Sequence, residues 1–168
     1  MSIITMPQRL AEMLVDCHPS IVAGYWYTQG DVDQIERPCW LIFVGDARYP
    51  QVTQDQEQVE QSYSIAYIGQ IYTSPEDAEF SEEYELLARQ VADAAIKYLL
   101  SHNQGQVSNE RGLFPSEKSA LDSIMWTKIS SRSGVTLYQR DGVEGLAFWG
   151  FTIDIVVTEQ LSYESVGF

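Results

Sequence analysis

The sequence predicts an α+β fold, a two-layer sandwich with two helices packed on one face of a mainly antiparallel sheet of about four to six strands. Three observations lead there. Between Ser74 and His102, the residues Phe80, Tyr84, Leu87, Ala88, Val91, Ala94, Ala95, Tyr98 and Leu99 recur at steps of three and four. That spacing stacks side chains along one side of a helix. Leu146 to Glu159 instead alternates with period two, the pattern of a strand. Ala147, Trp149, Phe151, Ile153, Ile155 and Val157 point one way, and Phe148, Gly150, Thr152, Asp154, Val156 and Thr158 the other. The third observation is the order of elements: helix, two strands, long helix, three strands. A helix of about twenty residues cannot bury such a stripe alone, so the strands on either side of it must supply a sheet.

The elements follow in turn. Thr5-Met6-Pro7-Gln8 has the form of a capping box, and Leu10, Met13, Leu14 and Cys17 then share a face until Pro19, giving a first helix over about residues 6–17. Ile21 to Gln34 mixes aromatics with turn formers and is read as an irregular segment or small hairpin. Cys39-Trp40-Leu41-Ile42-Phe43-Val44, entered through Arg37-Pro38 and closed by Gly45-Asp46, predicts a strand buried on both faces. Residues 47–61 are polar and are read as a protruding loop or hairpin tip. A second strand is expected over Ser62 to Thr73, with Tyr63, Ile65 and Tyr67 on its apolar side. The long helix follows. Six acids crowd its start with no base among them, which suits the positive end of the helix dipole, and Lys97 lies toward its other end. Asn103 to Glu117 reads as a connection. Strands are predicted over Ser123–Ser131, Val135–Arg140 and Leu146–Glu159, and residues 160–168 as a tail.

At 168 residues, 45% hydrophobic and 20% charged, the chain has the size and composition of one folded domain. No apolar run is long enough to span a bilayer, and no membrane role is expected. The N-terminal residues do not read as a secretion signal. Cys17 and Cys39 sit in apolar surroundings; a disulfide is possible, but reduced core thiols in a protein made in the cytoplasm are the plainer reading. With 24 acids against 10 bases the net charge is −14. Such a surface opposes gripping a nucleic acid. It serves solubility, or lets a polyanion slide past without sticking.

Catalytic patterns are missing from the sequence. His18 and His102 have no acid or cysteine at ligand spacing, whereas zinc needs three or four converging groups. Asp31 and Asp33 beside Gly30 lack the further oxygens of a calcium loop. No nucleophile elbow, paired-cysteine motif or phosphate-cradling glycine loop is present. No cofactor is expected. Asp154 stands out because it interrupts an apolar strand. A buried carboxylate is costly unless paired, so it is expected to face solvent or a subunit contact and to pair with a base such as Arg132 or Arg140. The four tryptophans have no interleaved bases and read as core or interface rather than a base-stacking platform.

Several stretches together resemble the tail-terminator (tail-completion) proteins of tailed bacteriophages and their head–tail joining relatives. These are the opening helix Pro7 to Cys17, the proline-entered strand Pro38-Cys39-Trp40-Leu41-Ile42-Phe43-Val44, the helix segment Leu86-Leu87-Ala88-Arg89-Gln90-Val91-Ala92-Asp93-Ala94-Ala95, and the closing strand Ala147-Phe148-Trp149-Gly150-Phe151-Thr152-Ile153-Asp154-Ile155. The likeness spans about Thr5 to Glu159 and is one of order and texture. It implies a hexameric ring in the virion, assembled in the host cytoplasm, that caps the tail tube and joins it to the neck. DNA would pass through the hole without being specifically bound, and the partners would be other copies, the tube protein and neck or connector proteins. Gln51, Gln54, Asp55, Glu57 and Glu60 then form a contact arm toward a neighbouring subunit or the tube. Glu76, Asp77, Glu79, Glu82 and Glu83 form an acidic pore or rim, and Asp154 a contact on the sheet face. The resemblance implies no catalysis. Two alternatives remain open: another head–tail connector or neck protein, and a small ligand-binding or enzymatic domain with Asp154 or Tyr67 in a pocket between helix and sheet.

Overall fold

In the computed structural model, the described residues are 6–26, 35–49, 56–70, 78–101, 124–139 and 147–162. They form two α-helices, a short 3-10 turn and six strands: α1 (Met6–Leu14), the turn Val15–Cys17, β1 (Ala23–Tyr25), β2 (Cys39–Arg48), β3 (Gln56–Ile68), α2 (Ala78–Ser101), β4 (Ile124–Arg132), β5 (Thr136–Gln139) and β6 (Ala147–Ser162). The sheet order is β1-β2-β3-β6-β4, with β5 also on β6. Only β1 runs parallel to its neighbour; the other pairings are antiparallel. The predicted α+β class and mainly antiparallel sheet therefore hold.

Both helices lie on one face. The register aligns Trp40, Tyr67 and Phe151 on one cross-strand row and Ile42, Ile65 and Ile153 on the next. With Tyr63, Ile155 and Val157 these form one buried cluster with Met6, Leu10, Met13 and Leu14 of α1 and Ala88, Val91, Ala92, Ala95 and Leu99 of α2. Between Ala78 and Ser101 there is no glycine or proline and no β-branched run, so nothing opposes the helix. Its buried alanines keep the helix axis close to the sheet. At the C-terminal end, Ser101 Oγ donates to the Tyr98 carbonyl at 2.8 Å. Lys97 falls short of the last turn, which holds no base.

The centre of the core is aromatic. Tyr67 and Phe151 stack with centroids 5.1 Å apart, and Trp40 meets both edge-on at 5.6 and 5.8 Å. Trp40 Nε1 donates to the Leu14 carbonyl at 3.0 Å, tying the sheet to the end of α1. α1 also presses on β1 at Gly24, where an added Cβ would lie 2.3 Å from the Ala11 carbonyl oxygen. Cys17 and Cys39 are free thiols. Burial pushes both up to about 11, and it raises the phenols of Tyr67 and Tyr98 as well.

Several expected boundaries move. The irregular segment after α1 contributes β1. The strand from Cys39 continues through Gly45-Asp46 by way of a bulge between Val44 and Ala47. Gln61 Nε2 donates to the Gly45 carbonyl there at 2.7 Å, which stabilises the bulge. The strand is buried on both faces only at its start, since Phe43 and Val44 are exposed. The polar stretch 47–61 is largely strand: β2 reaches Arg48 and β3 begins at Gln56. β6 extends to Ser162, so residues 160–162 belong to the sheet rather than to a tail. The Thr5 cap, the connection 103–117 and residues 163–168 lie outside the described residues.

β4 and β5 are halves of one edge running along β6. The register slips once between Ile124 and Trp126 and again between Ile129 and Ser131. It slips once more between Arg132↔Ile153 and Thr136↔Gly150. Each bulge bends the edge and increases its twist.

Candidate functional site

Among the described residues no element covers the second face of the sheet. It carries Leu41 and Phe43 of β2, Ser62, Ser64, Ala66 and Ile68 of β3, and Phe148, Thr152, Asp154 and Val156 of β6, by the alternation of the paired strands. Asp154 is half-buried near its centre. Its carboxylate accepts hydrogen bonds from Ser64 Oγ on one neighbouring strand and from Ser131 Oγ, at 3.0 Å, on the other. Ser130 Oγ donates to the Asp154 backbone carbonyl at 2.9 Å. The pairing expected with Arg132 is corrected. Arg132 lies on the helical side, 3.4 Å from Asp93 of α2, and Arg140 is outside the described residues. Hydroxyls suffice because the site is only half-buried. The serines become recognisable as partners only once the strand register is known.

At one end of this face Tyr138 stacks on Phe148 at 5.3 Å, and the Arg37 guanidinium lies 5.0 Å from the Phe148 ring. Gly150 sits beneath them. An added Cβ there would fall 2.7 Å from the Tyr67 carbonyl oxygen, so the close backbone approach requires glycine.

Part of the expected contact arm, read as a loop or hairpin tip, is strand. Glu57 and Glu60 lie in β3, where they pair with Leu161 and Thr158 of β6, while Gln51, Gln54 and Asp55 lie outside the described residues. Every residue of β3 has a partner on β6, and β4 pairs β6 as far as Ile124↔Glu159, so the sheet is four strands wide at the base of the arm. On its helix side Val44 is 60% exposed while Tyr63, Ile155 and Val157 are buried, so the helical layer falls short of the β2 edge. Of the acidic rim, Glu82 and Glu83 are exposed on α2. Glu79 lies in the same helix, and Glu76 and Asp77 are outside the described residues. Glu85 is paired with Arg89 at 2.8 Å.

Asp154 and Tyr67 project from opposite faces of the sheet and do not line one pocket. His18 Nδ1 accepts a bond from the Ser20 backbone N–H at 3.1 Å and so belongs to a turn, while His102 is outside the described residues. Among the described residues no three metal-ligating side chains converge, and no helix is long and apolar enough to cross a membrane.

The class defined by fold and surface is a two-layer α+β domain with a one-sided sheet and a projecting β arm. No protein-family model matches the chain, and no curated protein matches it.

Proposed function

We propose that this protein is a structural subunit of a ring of the tail-terminator kind. Copies close, as hexamers in the family it resembles, on the end of a phage tail tube and join it to the head or neck. In this reading the protein is made in the host cytoplasm, resides in the virion, binds its own copies, the tube and the neck, and performs no catalysis. The observation that carries the reading is a sheet that, among the described residues, has helices on one side only, with its long strands running on past Val44. A face of this kind, with Phe43 and Tyr138 exposed at its margins, suits burial against neighbouring subunits. The net charge of −14 supports passage of DNA without retention.

Light scattering on the purified protein tests the proposal. A mass near six times the 19.1 kDa chain, with a central hole in negative stain, is expected. A monomer at high concentration overturns it. Mixing rings with tube protein separates the two phage alternatives, because a terminator caps tube ends and a neck protein leaves them open.

A further inference from the structure

We infer that copies of this chain join edge to edge, the β4 edge of one adding to the free edge of β2 on the next. The inference rests on the ring reading and names the contact that would build it. Two edges of the sheet are open among the described residues. β1 covers only Cys39 to Leu41 of β2, leaving Ile42 to Arg48 with one neighbour, β3. At the far end, β4 has only β6. Strand edges in this state present unpaired N–H and C=O groups to any matching strand.

The two edges differ in character. Along β2 and just beyond it Phe43, Val44 and Tyr49 are 39%, 60% and 61% exposed, with Asp46 and Arg48 exposed among them. The segment from Ser123 to Arg140 holds three bases, Lys128, Arg132 and Arg140, and no acid, in a chain with 24 acids. Lys128 is exposed on β4. An exposed base on one edge, Lys128, and an exposed acid on the other, Asp46, favour a head-to-tail contact, which closes into a ring or continues as a filament.

Register and direction agree with this. β2 is antiparallel to β3, β3 to β6 and β6 to β4, so β4 is antiparallel to β2. The row through Val44 runs by way of Tyr63 and Ile155 to Ile129. The next row runs from Lys128 through Val156 to Ser62, which faces Gly45 in the bulge that also holds Asp46. A second copy laid alongside without sliding therefore brings Lys128 level with Asp46. The bulges of β4, which shield an edge from unspecific partners, restrict the match to an edge with an irregularity of its own, and β2 has one.

Cysteine trapping tests this directly. Within one chain positions 46 and 128 are three strand spacings apart, about 14 Å, beyond the roughly 7 Å limit of a disulfide. Any bond between them must therefore join two chains. The double variant Asp46→Cys/Lys128→Cys is expected to give a ladder of linked chains on a non-reducing gel, and the wild type and both single variants none. Separately, Asp46→Lys and Lys128→Glu should each weaken association about tenfold at low salt, and the two together should restore it. Circular dichroism checks that each variant is folded. Rings that form normally in both charge variants, with no ladder from the double-cysteine protein, overturn the edge contact and leave the ring reading intact. A ladder from a single-cysteine variant also overturns it, because the contact would then be self-symmetric. A monomeric wild type removes both.

Discussion

Trp40→Phe isolates the bond that ties the sheet to the first helix. Phenylalanine keeps a ring against Tyr67 and Phe151 but loses the indole N–H that reaches the Leu14 carbonyl at 3.0 Å. Trp40 is fully buried, so no water replaces the donor. Losing this buried hydrogen bond costs about 1–3 kcal/mol, and the volume lost with the smaller ring adds about 1 kcal/mol. The sum is about 2–4 kcal/mol, or about 5–15 °C in Tm for a chain of this size. Urea and thermal unfolding followed by far-ultraviolet circular dichroism measure it. Trp40→Ala should cost more, because the aromatic contacts go as well. A Trp40→Phe loss below about 0.5 kcal/mol would falsify the argument that the Leu14 carbonyl depends on this donor.

Three further outcomes follow from the same structure. Gly24→Ala drives a methyl group to 2.3 Å from the Ala11 carbonyl oxygen, and both groups are backbone-anchored. A loss of about 1–3 kcal/mol in urea melts is expected, and unchanged stability would mean that α1 rides free of β1. Between pH 9 and 11 stability should fall: the unfolded chain releases the Cys39 proton near its ordinary value while the folded thiol keeps it to about 11. The native state then binds more protons and is weakened as pH rises, by up to about 1.4 kcal/mol per pH unit for this group. A Cys39→Ala variant should show a flatter curve over that window, and an identical curve would refute the assignment. Asp154→Ala leaves the Ser64 and Ser131 hydroxyls to a half-open face. Monomer stability should change by about 1 kcal/mol or less, whereas a larger loss in assembled mass would identify that face as a subunit contact.

Much of this fold was legible because period decides it. The two-residue alternation of β6 and the three-and-four spacing of α2 correspond to the buried sets in the structure. Boundaries failed where polarity was mistaken for irregularity. Residues 47–61 look like a loop, yet strands that leave the core need no apolar side chains, since β3 and β6 hold each other through backbone pairing. β1 was missed because three residues are too short for a pattern, and because its pairing with β2 is long-range. At the candidate site, the sequence marked Asp154 as unusual but did not reveal its serine partners. Arg132 is near in sequence order, but a bulge turns it to the helical side, whereas the serines meet the carboxylate only through pairings up to ninety positions away. The acids were countable from the start; which of them face a neighbour depends on an assembly no single chain encodes locally.

β6 joins the two halves of the sheet: β3 lies along one flank, β4 and β5 along the other. The ribosome makes it after all three. Until Ala147 to Ser162 emerge, the nascent chain carries β3 with an open thirteen-residue margin. Closing the sheet then requires a search over a long loop, which slows folding. During that interval the chain is open to capture by other nascent copies. In the proposed ring the strands of separate molecules must therefore be kept apart until each has its own β6 in place.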